Sequence, residues 1–183
     1  MQTRLRDRAD LQALLQQQAT ESTGGISGAA LAIRLDDADQ MRDQLGHADY
    51  SSLMVALGDR LGRALRDQDL FCPLDPDGFG VALHPQRALD LAGVMAVAQR
   101  LQARLAAPLA VNGAALVPHV SVGVCFSPRA AMLNGLSMLE AAESAAVKAL
   151  RAGPGGLTSY SVVDFPTTLT GDRIAALRQA LEN

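Results

Sequence analysis

Asp69-Leu-Phe-Cys-Pro-Leu-Asp-Pro-Asp-Gly-Phe-Gly-Val-Ala-Leu-His84 is the segment on which the fold turns. Two short apolar runs, 69–74 and 79–84, flank Asp75-Pro76-Asp77-Gly78. Asp in the first place, Pro in the second and Gly in the fourth suit a type I turn. The segment therefore predicts a β-hairpin.

Upstream of it, Leu53, Leu57, Leu61 and Leu65 recur at i+4 spacing and predict a helix over about 50–66. A short acidic helical segment is expected at about 37–44, after an apolar strand at 29–35. Gly24, Gly25 and Gly28 mark a loop before that strand, and 5–19 reads as a first helix. Downstream, Leu91, Met95, Ala98, Leu101 and Leu105 give one face of a helix over about 87–105. Asn112-Gly113 between 108–111 and 114–126 predicts a second hairpin. Ser137 and Glu140 form a capping box that opens a helix ending near Gly153, with Pro154 beyond it. A last strand is expected at about 157–163.

Helices interleave with strands, yet hairpins are present. The fold class is α+β: a central, mostly antiparallel sheet of five to six strands flanked by helices. One domain is expected over 1–163. Residues 164–171 read as a linker containing Pro166, and Asp172 caps a terminal helix with Ile174, Leu177 and Leu181 on one face.

Composition narrows the function classes. Hydrophobic residues are 49% of 183, enough for a packed core, but aromatics are only 3% and Trp is absent. That leaves little material for base-stacking platforms. A net charge of −3 argues against nucleic acid or an anionic membrane as the main partner. Arg60, Arg63 and Arg66 recur every three residues, which reads as a solvated helix face. Cys72 and Cys125 lie in apolar, strand-like runs and are expected as buried thiols. His47, His84 and His119 form no ligand motif, so neither metal nor cofactor is expected from spacing. No apolar run is long enough to span a membrane and no basic-then-apolar leader is seen. A reduced, cytoplasmic setting is the expectation.

Several landmarks fall in the order of the GGDEF family of diguanylate cyclases. The strand, acidic helix and Leu45-Gly46-His47 resemble its D-x-D-x-F-K-x-x-N-D-x-x-G-H stretch. Arg66-Asp67-Gln68-Asp69 through Phe79 resembles the run from R-x-x-D to the signature turn. Ser121-Val-Gly-Val124 resembles the S-I-G-V strand, and Ala142-Glu143 with Ala149 and Gly153 resembles the A-D…A-K-x-x-G helix. The likeness covers about residues 1–160. It implies a fold in which two chains each bring a GTP to a shared interface, where acidic residues hold two metal ions and the 3′-hydroxyl of one GTP attacks the α-phosphate of the other.

Position by position, the resemblance implies a degenerate site. The first metal-binding Asp falls on Arg34, although Asp36 remains two residues on. The family's Phe and Lys fall on Ala38 and Asp39, and its guanine-contacting Asn and Asp on Arg42 and Ser51. The signature turn reads Asp75-Pro76-Asp77-Gly78-Phe79: both glycines are replaced, Pro76 offers no N–H, and the fourth position has lost its Glu. The phosphate-gripping Lys falls on Leu150 and a nearby basic position on Pro154. The expectation is a non-enzymatic regulatory or interaction domain in cyclic di-GMP signalling, with no catalytic residues. Its partner would be another protein, an adjacent EAL-type domain or a second copy.

Two further readings stay open. Arg66-x-x-Asp69 resembles the family's inhibitory site, where Arg and Asp bind cyclic di-GMP, and Arg100 falls where the family places a further arginine. That implies a receptor for the dinucleotide. Alternatively, Asp69 starts a strand and Arg66 is a helix-end cation favoured by the dipole. The terminal helix resembles the one that opens an EAL phosphodiesterase domain. Leu5, Asp7 and Arg8 fit part of the segment that opens the GGDEF domain. Both point to a piece of a longer GGDEF–EAL protein.

Overall fold

The structure, a computed structural model, describes residues 7–21, 25–128 and 137–161. The expected linker and terminal helix at 164–183 lie outside the described residues, as does Leu5. Among the described residues, four helices and seven strands follow in the order α1 (Arg8–Glu21), β1 (Ile26–Leu35), α2 (Ala38–Ala64), β2 (Leu70–Leu74), β3 (Gly78–Arg87), α3 (Leu91–Leu105), β4 (Leu109–Val111), β5 (Ala114–Leu116), β6 (Val120–Phe126), α4 (Met138–Ala152) and β7 (Leu157–Ser159). Five strands form the central sheet in the order β2-β3-β1-β6-β7, and β4 with β5 makes a separate two-stranded ribbon. Every pairing in the central sheet is antiparallel except β6 with β7. The expected α+β class and mostly antiparallel sheet are found.

Strand periodicity divides the core. Along β1, Ala29, Leu31, Ile33 and Leu35 face the layer of α2 and α3, where Leu53, Leu57, Leu61, Val94, Ala98 and Leu101 meet them. Ala30 and Ala32 face the opposite layer, built from Leu11 and Leu15 of α1 and the alanines of α4. Cys72 and Cys125 are buried in that second layer as free thiols. The α4 alanines Ala141, Ala142, Ala145, Ala146 and Ala149 are all fully buried. They let the helix approach so near that a Cβ on Gly123 of β6 would overlap the Ala142 carbonyl oxygen and the Ala146 nitrogen.

Several local expectations are corrected. The acidic segment and the helix after it are one element, α2, broken at Gly46, where φ is 75°. The third helix starts at Leu91, not 87. The hairpin continues through β3 to Arg87, and Asp90 then caps the helix by accepting from the Gly93 N–H. The expected strand at 114–126 is interrupted at 117–119, around Pro118, which has no N–H to give a ladder. The turn after β2 is a three-residue loop, 75–77, closed by the Leu74–Gly78 pair, with a cis Asp75–Pro76 peptide in place of the expected type I turn. The capping box at Ser137 and Glu140 forms in full, and α4 ends at Gly153. Glu140's carboxyl is held below its ordinary range by the Ser137 backbone and side-chain hydrogen bonds of that box.

The contact between α4 and β6 yields a stability prediction. Gly123→Ala must push the helix away from the sheet and is expected to destabilise the domain by about 1–3 kcal/mol or more. Gly113→Ala, where an added Cβ meets open space, should cost about 1 kcal/mol from its positive φ alone. Urea denaturation of the two variants side by side checks the ordering.

Candidate functional site

The β2–β3 turn and the N-terminal half of α2 come together around Asp77. Asp77 is buried, with 7% of the residue exposed. Asp77 Oδ1 accepts from Arg42 Nη2 at 2.5 Å and from the Tyr50 hydroxyl at 2.5 Å. The Arg42 guanidinium also lies 4.9 Å from the Tyr50 ring centroid, within cation–π range. The arrangement shifts both partners. Hydrogen bonds that Arg42 donates to Asp77 and Asp39 hold its guanidinium above its ordinary value. Burial, then the hydrogen bond to Asp77, pushes the Tyr50 hydroxyl up. The Asp77 backbone takes part as well, its carbonyl accepting from the Leu35 N–H at 2.9 Å.

Arg34, at the end of β1, donates to the Asp75 carbonyl at 3.0 Å. It also approaches Glu143 at 3.8 Å, the carboxylate that Arg8 grips with both Nη atoms. Gly78 pairs with Arg34 in the β1–β3 ladder, and a Cβ there would overlap the Ile33 carbonyl oxygen. The backbone at the fourth turn position is thus pressed against β1. Phe79 is buried in the core and meets Phe71 edge-on, with centroids 6.4 Å apart. Pro76 and Leu150 line a shallow cleft of about 660 Å³ beside Arg34 and Asp77.

The two metal ions implied by the family resemblance need oxygen donors. Asp36 is 2% exposed, and its two oxygens accept from the Ser121 hydroxyl and the Gly155 N–H, each at 2.7 Å. It ties the end of β1 to β6 and to the loop before β7. Arg34 places a cation beside the turn. Among the described residues, no three His, Cys, Asp or Glu side chains come together in a way that could hold an ion. These residues do not fit a divalent-cation pair.

The second candidate lies at the other end of α2. Arg66 and Arg100 do come together, lining one groove of about 440 Å³ with Arg60, Arg63, Ala64 and Arg104. Asp69 does not line it. Its buried carboxylate accepts from the Arg66 N–H and the His84 N–H, both at 2.9 Å, and so closes the loop between α2 and β2. Arg66 itself donates to Gln86. Arg63 and Arg104 went unrecognised in sequence. The three-residue arginine spacing was visible, but nothing local shows that the Arg100 and Arg104 face of α3 packs opposite it. Tyr50 was missed too. With only two tyrosines in the chain, a Tyr on an apolar helix face whose hydroxyl needs a partner was the available signal.

The Asp77 cluster predicts a graded response. Tyr50→Phe removes one buried hydrogen bond and should cost about 1 kcal/mol. Asp77→Ala leaves the Tyr50 hydroxyl without its acceptor and should cost about 1–3 kcal/mol. Chemical denaturation of both variants against the parent chain measures the difference.

Comparison with known proteins agrees with this geometry. The family model described as "Diguanylate cyclase, GGDEF domain" matches residues 1–155. An uncharacterised protein of Mycobacterium tuberculosis is 29% identical over 177 residues, which is 96% of this chain and 28% of the relative. The chain thus spans little more than a quarter of that relative's length. The GGDEF domain of YfiN (also TpbB) from Pseudomonas aeruginosa superposes with a TM-score of 0.78 at 25% identity, covering 87% of this chain and 99% of that one. An EAL/GGDEF domain protein from M. capsulatus gives 0.65 at 28% identity, covering 85% and 99%. The fold, the order of its elements and the match over residues 1–155 place this chain in the GGDEF family.

Proposed function

We propose that this chain is a catalytically silent GGDEF domain that acts in cyclic di-GMP signalling through contacts with another protein, an adjacent EAL-type domain or a second copy. The observation that carries this reading is the closed turn. Asp77 is bonded to Arg42 and Tyr50, and Arg34 is bonded to Asp75. Phosphoryl transfer needs metal charge beside the phosphates and backbone N–H groups free to approach them. Here an arginine, a proline and internal hydrogen bonds occupy that ground. Ser51 donates its hydroxyl back to the His47 carbonyl, so the second guanine-contact position is also turned to local use. The buried free thiols are in keeping with a reducing compartment. No described helix is long and apolar enough to cross a membrane.

The arginine groove favours a second reading, a cyclic di-GMP receptor that uses Arg66 and Arg100. Its weak point is Asp69, whose carboxylate already serves the loop.

Incubation of the purified chain with GTP and Mg²⁺ or Mn²⁺, followed by mass spectrometry, should give no cyclic di-GMP. Turnover that disappears in Asp77→Asn would overturn the silent reading. For the receptor reading, Arg66→Ala should weaken cyclic di-GMP binding by more than about tenfold, since a charge-assisted, forked contact is lost. Calorimetry on parent and variant decides it.

A further inference from the structure

We propose that the arginine groove between α2 and α3 is a binding site for a linear polyphosphate chain, recognised by charge and not through a base. This goes beyond the receptor reading and shares with it only the premise that the groove holds a ligand.

The argument starts from an electrostatic imbalance. Among the described residues, five arginines line the groove and no acid does, in a chain whose net charge is −3. Part of this has a local explanation. Arg60 donates to the carbonyls of Leu105, Ala107 and Pro108 and so closes the end of α3. Arg63 and Arg104 each sit in the last turn of a helix, where a cation is favoured. Two helix ends supply only about half a negative charge each, which leaves most of the guanidinium charge uncompensated. Arg63, Arg100 and Arg104 are exposed, and none has a hydrogen-bond or ion-pair partner among the described residues. Like charges held together at this density repel one another, and an anion in the groove relieves that repulsion.

The donor set then selects the anion. Guanidinium forks offer paired N–H donors that match the oxygens of a phosphate. A guanine edge can engage one such fork through O6 and N7. Its own N–H groups find no side-chain acceptor among the described lining residues, where Ala64 alone accompanies the arginines, and Asp69 is engaged with the Arg66 and His84 N–H groups. Among the described residues, no aromatic ring lines the groove to stack on a base. A cyclic dinucleotide would bring two phosphates separated by bulky groups the groove does not contact. Linked phosphates place acceptor oxygens before the forks of both helices at once, within about 440 Å³.

The experiment is titration calorimetry of the intact chain with inorganic tripolyphosphate and, separately, with cyclic di-GMP. Tripolyphosphate should bind at least about tenfold more tightly, with an affinity that falls steeply as salt is raised. The double variant Arg63→Ala, Arg104→Ala, which changes two exposed side chains without partners, should lose more than about tenfold in tripolyphosphate affinity. Tighter binding of cyclic di-GMP than of tripolyphosphate overturns this proposal and leaves the receptor reading standing. Absence of binding by either anion removes both. Tripolyphosphate binding that is unchanged in the double variant places the anion elsewhere and also overturns the proposal.

Discussion

The approach of α4 to the centre of the sheet is the contact on which the rest of the molecule depends. It exists because one face of the sheet carries almost no side-chain volume. Ala30, Ala32, Ala82 and Cys125 lie on that side, with Gly123 beneath α4 and Gly80 beneath Leu11 and Leu139. Against them α4 presents Met138 and Leu139 at its start and then alanines along its inner face. The other side of the same strands carries Leu31, Ile33, Phe79, Val81, Val122 and Val124, and there the helices α2 and α3 stand on bulky side chains. Size, and not polarity, separates the two layers. Packing at native density leaves no slack in the thin layer, so a single methyl group matters there more than in the thick one.

That packing fixes where β1 and β6 end, and the ends carry the chemistry. Asp36 sits just past β1 and is bonded to Ser121 of β6 and to the Gly155 backbone. Asp36 thus serves as a bridge that ties these three segments together. The same holds at the turn. Arg34 and Arg42 each have an internal acceptor, the Asp75 carbonyl and the Asp77 carboxylate. A buried carboxylate without partners would be costly, so Asp77 could stay only with cations or hydroxyls to satisfy it. Under the silent reading, the substitutions are coupled parts of one rebuilt network.

Much of the fold was legible in the sequence because it rests on local signals. The Ser137 capping box, the i+4 leucines of α2 and the Asn112-Gly113 turn each act within a few residues, and each forms as read. The misplacements arise where a longer-range term decides. The start of α3 moved from 87 to Leu91 because β3 keeps pairing with β1 as far as Arg87, a pairing that no helical pattern reveals. Asp69 could be read as a ligand residue because its spacing from Arg66 fits a motif. That same spacing lets its side chain accept from the Arg66 N–H, a loop contact that the motif alone does not reveal. Arg100 was placed by resemblance, whereas Arg104 had no sequence signal, since its role depends on which face of α3 meets α2.

Net charge says little about any one region of the surface. A chain at −3 gives no hint that Arg60, Arg63 and Arg66 share a groove with Arg100 and Arg104. The sum averages over regions that do not sense one another. Tyr50, beside the Asp77 cluster, and Arg63, in the groove, are on the same unbroken stretch of α2, and thirteen residues of helix separate them by about 20 Å. The screening length at physiological salt is about 8 Å. Charges at the turn, including the exposed Asp37 and Asp39 nearby, therefore contribute almost nothing to the potential in the groove. The potential in the groove is set by the charges within one screening length of it, the lining arginines first among them.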